Sequence, residues 1–197
     1  ARGVSLASID LPGSTRTVAD VIGNLPALRS SLSRGHDSTA AWQDTVAGAA
    51  KFLAGIYRDR NSTQLRNIFS ALAKDMKAAT PLPRTATALP LGYGTANDDL
   101  LLWLERPQLS AITQHETRGH MASDLGRYMF AAVFGNKRGY SPKASDFPLE
   151  LSPDHRNWHS GVFNDRFRVQ LASEPATTVT SNISKDGHYF IHPDPRQ

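Results

Sequence analysis

The stretch Ser38-Thr39-Ala40-Ala41-Trp42-Gln43-Asp44-Thr45-Val46-Ala47-Gly48-Ala49-Ala50-Lys51-Phe52-Leu53-Ala54-Gly55-Ile56-Tyr57 decides how this chain folds. Trp42, Val46, Ala49, Ala50, Leu53, Ile56 and Tyr57 recur at steps of three and four, which lays them along one face of an α-helix. Ser38 stands just before the stripe and is placed to cap it, because its hydroxyl can accept from a free amide of the first turn. A second stripe follows, Leu65, Ile68, Phe69, Leu72 and Met76, with Ser62 or Thr63 as its cap. The short link over 59–62 predicts two antiparallel helices packed stripe to stripe. Both stripes read as core.

Upstream, residues 1–16 show no periodicity, and Thr17-Val18-Ala19-Asp20 reads as a capping box opening a short helix that Gly23 and Pro26 end. Residues 30–37 read as loop. Downstream, Pro81, Pro83, Pro90 and Gly92-Tyr93-Gly94 mark an irregular linker, and residues 98–105 a short helix carrying Leu101, Leu102 and Leu104. Ser123-Asp124 then caps a third good helix, with Leu125, Tyr128, Met129, Ala132 and Val133 on its buried face and Gly139 and Pro142 at its end. Beyond Pro142 the chain is rich in Pro, Asp, Asn, His and aromatics. Phe167, Val169 and Leu171 alternate with polar neighbours, as Tyr189 and Ile191 alternate with His188, Phe190 and His192, which predicts short strands. The fold class is α+β: a helix-rich first two-thirds and a smaller loop-and-strand region at the C-terminal end. The expected segments are 1–37, a connecting piece with a short helix; 38–141, the helical part; and 142–197, the loop-and-strand part.

At 197 residues the chain is long enough for one domain with a real core, and 40% hydrophobic against 20% charged residues argues against wholesale disorder. Lys and Arg number 22 against 18 Asp and Glu, a net charge of +4 that leans towards polyanions. There is no cysteine, which excludes disulfides, cysteine-bound zinc, iron–sulfur clusters and a thiol nucleophile within this chain. No apolar run nears the ~20 residues of a membrane helix; residues 100–104 form the longest. Neither end reads as a natural terminus, so a fragment of a longer protein is expected, without a signal peptide and with a cytoplasmic location.

Several familiar chemistries fail on spacing. His115-Glu116-Thr117-Arg118-Gly119-His120 suggests a zinc-protease helix, but its histidines are five apart, not four, about 140° out of line on a helix. His188 and His192 are four apart, but in a strand they would stand ~13 Å from each other. Gly92-Tyr93-Gly94 lacks the third glycine of a dinucleotide loop, and neither a Gly-Lys-Ser/Thr phosphate loop nor a Gly-x-Ser-x-Gly elbow occurs. Asp98-Asp99 suits a helix start. No catalytic or metal-binding residue is therefore assigned. What remains is a cluster of Arg, Lys, Trp, Asn and His over 142–148, 154–161 and 164–168, residue types that hold phosphates and read base edges or form solvated salt-bridged loops.

Four stretches decide between those readings: Thr17-Val18-Ala19-Asp20-Val21-Ile22-Gly23-Asn24-Leu25-Pro26; Gln114-His115-Glu116-Thr117-Arg118-Gly119-His120-Met121 with Asp124-Leu125 and Arg127-Tyr128; Arg166-Phe167; and Pro175-Ala176-Thr177-Thr178-Val179-Thr180-Ser181-Asn182-Ile183-Ser184-Lys185-Asp186-Gly187-His188-Tyr189-Phe190-Ile191-His192-Pro193. In this order they resemble parts of the bacterial DNA cytosine-5 methyltransferases. The first is similar to the element after that family's eighth conserved block. The second is similar to its variant opening with Asn-His or Gln-His. The last is similar to the ninth block and its extension, with Glu174-Pro175 where the family often has Arg-Pro.

The resemblance implies a target-recognition region joined to the ninth block. In the family a cysteine after a proline attacks carbon 6 of a flipped cytosine. A glutamate in a Glu-Asn-Val block assists, and S-adenosylmethionine sits against a Phe-x-Gly-x-Gly loop. None of these blocks, nor the tenth Gly-Asn-Ala/Ser-Val block, is in this chain. Without a thiolate it is expected to be inactive alone. The implied partners are double-stranded DNA and the missing catalytic part of the same protein, with S-adenosylmethionine used by the whole and no cofactor held by this fragment. DNA contacts are expected at Arg118, Lys143, Arg156, Asn157, Trp158, His159, Arg166, Arg168 and Lys185, and local structural roles at Pro175, Thr177, Thr178 and Thr180. Other readings are a stand-alone DNA-binding module or non-catalytic subunit of a split methyltransferase, and a helical interaction scaffold. The hairpin over 38–78 matches no family block and reads as scaffold.

Overall fold

A computed structural model describes residues 15–60, 62–88, 110–154, 158, 160, 164–178 and 188–197. The expected helix over 98–105 and Gly92-Tyr93-Gly94 lie outside them. The first helix, α1 (Val18–Ile22), has the reciprocal cap its sequence announces: Asp20 N donates to Thr17 Oγ1 at 3.2 Å and Thr17 N donates to Asp20 Oδ2 at 2.9 Å. Its free amides are used further. Val18 N donates to Glu174 O and Ala19 N to Ala172 O, at 2.8 and 2.9 Å, so the tail closes the start of this helix.

Helix α2 (Thr39–Asp59) begins at Ser38, whose Oγ accepts from Ala41 N at 3.1 Å. It buries Trp42, Val46, Ala47, Ala50, Leu53, Ile56 and Tyr57, while Ala49 is half-buried. Helix α3 (Thr63–Ala78) buries Phe69, Leu72, Ala73 and Met76 against it. The pair is antiparallel: Gln43 Nε2 donates to Ala79 O at one end, and Tyr57 stacks on Phe69 nearer the other. Ser62 precedes α3 but makes no side-chain cap.

The third long helix, α4 (Ala122–Arg138), runs through the middle of the structure. Leu125, Gly126, Met129, Phe130, Ala131, Ala132, Val133 and Gly135 are all buried, a distribution wider than the single stripe expected from the sequence. It starts one residue before the expected cap, so Ser123 and Asp124 lie in its first turn, and Asp124 meets the positive end of the helix dipole. Two glycines permit close approach. A Cβ on Gly126 would touch Ala49 of α2 at 3.6 Å, and one on Gly135 would lie 2.6 Å from Val169 Cγ1. Gly139 ends the helix in the left-handed region (φ 76), which glycine adopts without steric cost.

One hydrophobic core joins α2, α3 and α4 to Phe147, Leu151, Trp158, Phe167, Val169 and Ile191 of the last third. The β component is small. Strands β1 (Ser31–Leu32) and β2 (Gly119–His120) pair in parallel, with Ser31 opposite Gly119 and Leu32 opposite His120. β1 falls in residues read as loop from the sequence. The alternating tail segments bury Phe167, Val169 and Ile191 as expected, yet among the described residues they form no strand: Val169 and Ile191 make an isolated parallel bridge, and Arg168 N donates to His188 O beside it. The architecture is α+β, helix-rich in its first part. Among the described residues no helix is long and apolar enough to cross a membrane.

Candidate functional site

Residues 115–120 lie between two extended segments. Ser31 N donates to Arg118 O and Ser33 N to His120 O on one side; Thr117 N donates to Arg84 O and Ala86 N to His115 O on the other. Thr117 Oγ1 adds a 2.6 Å bond to Arg29 O. The histidines here are therefore on an extended segment rather than a helix. His115 Nε2 donates to Pro26 O at 2.8 Å, since a carbonyl can only accept. His115, Glu116, Thr117, Arg118 and His120 of this segment line a cleft of about 650 Å³ that also touches Leu28, Tyr128 and His192.

At the wall of this cleft the Tyr128 hydroxyl sits between two imidazoles, 2.8 Å from His188 Nδ1 and 3.3 Å from His120 Nδ1. One hydroxyl proton serves one nitrogen, so the other nitrogen must carry its own proton and donate to the oxygen. The two histidines thus take opposite Nδ1 roles around one tyrosine. Burial is the main reason that the Tyr128 phenol is pushed above its ordinary value, with the nearby Asp124 charge acting in the same sense. Burial also holds His120 and His188 below theirs, partly opposed by Asp124; Arg118 adds to the lowering at His120 and Arg166 at His188.

The α4 residues of this stretch that stood out in the sequence, Asp124, Leu125, Arg127 and Tyr128, each have a visible task. Asp124 receives Arg127 Nη1 at 2.7 Å, a pair with only 11% of each side chain exposed. Arg127 then donates through Nε to Leu151 O and through Nη2 to Ser152 O, fixing the turn over 149–151 on α4. Leu125 enters the core and Tyr128 joins the histidines. The segment that resembles a ninth block, through His188, is tied by this one hydroxyl to the segment carrying His120.

The residues expected at DNA are spread unevenly. Arg118 and Lys143 are exposed, and Arg166 is partly exposed. Arg168 pairs with Asp165 at 3.1 Å and lies over the Tyr189 ring, its guanidinium carbon 5.6 Å from the ring centre. Trp158 is packed in the core, edge-on to Phe147 and Phe167, and has a structural role here. Arg156, Asn157, His159 and Lys185 lie outside the described residues, as does Thr180. Thr177 bonds locally: its amide donates to Gln170 Oε1 at 2.9 Å, and Gln170 Nε2 also donates to Tyr189 O at 2.8 Å. Pro175 and Thr178 are exposed.

Three supporting residues escaped the sequence reading. Buried Gln170 ties residue 177 to residue 189. Arg29, also buried, makes a double contact with Asp37 at 2.9 and 3.3 Å, and Leu32 N donates to the same carboxylate. The Arg29 bond, and after it the Leu32 amide, hold Asp37 below the ordinary carboxylate value. No local pattern announces such pairs. His192 accepts from Asp194 N at 3.1 Å through Nδ1, and no group of three metal-ligating side chains occurs among the described residues.

Comparison with known proteins gives one informative likeness, to a methyltransferase of the Type II class, with 36% identity over 86 residues. The relative is M.Bpa9945I of Bacillus paralicheniformis; the shared stretch covers 44% of this chain and 18% of the relative. No family profile matches the chain, and no solved structure matches it. The chain is thus related to a methyltransferase, of whose length it spans less than a fifth.

Proposed function

We propose that this chain is the DNA target-recognition part of a cytosine-5 methyltransferase of the restriction–modification kind, working in the bacterial cytoplasm. One observation carries the reading: two stretches that resemble that family, 114–128 and 175–193, are far apart in sequence and meet at the Tyr128 hydroxyl. Such convergence is what a shared recognition fold requires. The likeness to a Type II methyltransferase supports the same reading.

In this role basic side chains hold phosphates and set register, and loop side chains read base edges. Arg118, Lys143, Arg166 and Arg168 are the described candidates, with Arg156, Asn157, His159 and Lys185 beside them in sequence. The thiol that attacks the flipped base belongs to another part of the enzyme, since this chain has no cysteine. S-adenosylmethionine supplies the methyl group and is assigned to that part too, on the family resemblance.

The test is binding of the purified chain to random and plasmid-derived duplexes, followed by fluorescence anisotropy at 50 and 200 mM salt. The reading expects affinity that falls steeply with salt, with a logarithmic slope of about −0.9 per phosphate contacted. No binding at low salt would overturn it in favour of the helical scaffold.

A further inference from the structure

We propose that the turn Arg34-Gly35-His36, with Arg84 and Arg118, forms a second phosphate-binding face for duplex DNA, separate from the basic cluster of the tail. The inference rests on the DNA-binding reading above and extends it from Arg118, already a candidate there, to Arg34, His36 and Arg84, which no motif marks.

Arg34, Gly35 and His36 are exposed, and Arg34 has no ion pair among the described residues. Gly35 takes the left-handed backbone (φ 81) with open space where a Cβ would point, so the tip is both tight and uncovered. A flexible cationic tip would be unremarkable, but this one is braced at both ends. On one side β1 pairs with β2, and Ser33 N donates to His120 O at 3.0 Å. On the other, Asp37 is clamped by buried Arg29 and by the Leu32 amide. The clamp is made although Arg29 Nε, buried, has no hydrogen-bond partner among the described residues. A buried ion pair contributes little net stability but fixes geometry, and the geometry fixed here is that of the turn that carries exposed Arg34.

The neighbours point to an anion. Arg84, 46% exposed, stands 3.9 Å from Asp37, whose charge Arg29 already engages at shorter range. Arg118 is exposed on the adjacent segment, and Glu116 is the acid that accompanies it there. The face therefore carries more positive than negative charge on a rigid base. Arginine forks match phosphate oxygens, and a braced tip binds with less loss of freedom.

Anisotropy titrations of the full chain with a duplex at 50 and 200 mM salt test this. Arg34→Ala and Arg84→Ala are each expected to weaken low-salt binding several-fold and to make the salt slope shallower by about 1. Arg34→Gln, which keeps a polar side chain but removes the charge, is expected to behave like Arg34→Ala. Lys51→Ala, on the exposed face of α2, is expected to leave the slope unchanged. If the wild-type chain binds and the Arg34 variants keep its slope, this face is wrong while the recognition reading stands. If Lys51→Ala flattens the slope equally, the effect is one of net charge and the face is also wrong. If the wild-type chain binds no duplex, both fall.

Discussion

The Tyr128 hydroxyl is one oxygen shared by two imidazoles. Tyr128→Phe keeps the ring in place and leaves the nitrogens of His120 and His188 without their shared partner. The expected cost is about 1–3 kcal/mol, read by urea denaturation. A change within about 0.5 kcal/mol, the usual range for a neutral surface substitution, would show that the hydroxyl contributes nothing there. The same cluster predicts an acid response. His120, His188 and His192 all have lowered values because burial disfavours their charged forms. Below the ordinary 6.5 of a free histidine the unfolded chain therefore binds protons that the folded chain refuses. Stability is expected to be flat above about pH 7 and to fall as pH drops through 6.5. Denaturation midpoints at pH 7.5, 6.5 and 5.5 check this, and a midpoint that rose on acidification would contradict it. Spacing in the sequence was enough to reject a zinc helix at His115 and His120. It held no sign that Tyr128 meets His188, because 60 residues separate them and only the fold brings them together.

At the scale of elements, the helices were legible because their causes are local. Thr17 and Asp20 announce the cap of α1, Ser38 that of α2, and apolar steps of three and four trace the α2–α3 hairpin. Ser38→Ala is accordingly expected to cost about 1 kcal/mol in a thermal or chemical melt, with no change in the folded spectrum. The strands were not legible. β1 and β2 are two residues each, too short for an alternation to show, and they exist through pairing with distant segments. The tail shows the converse: Phe167, Val169 and Ile191 alternate because they face α4, not because they form a regular sheet. Gly135 is where that docking is tightest. Gly135→Ala would drive a methyl into Val169 Cγ1 and Leu171 Cδ2, and is expected to destabilise by about 1–3 kcal/mol despite alanine's better helix propensity. A stabilised Gly135→Ala variant would show that the tail does not rest on α4 at this point.

For the whole molecule, the absence of cysteine was the most informative sequence feature, because it removes the nucleophile of cytosine-5 chemistry while leaving the recognition role open. The basic side chains that would read DNA were harder to place. Charge and residue type selected Trp158 along with its neighbours, but the fold packs it among Phe147 and Phe167, while exposed Arg34 drew no notice in a stretch without period. The central claim is that this chain selects a DNA sequence for an enzyme whose reactive groups lie elsewhere. The most direct measurement is repeated selection of bound duplexes from a randomised pool, with the purified chain as bait and the recovered DNA sequenced. A single cytosine-containing consensus, enriched round by round, is the predicted result. DNA retained without any consensus, or no DNA retained, would contradict the claim.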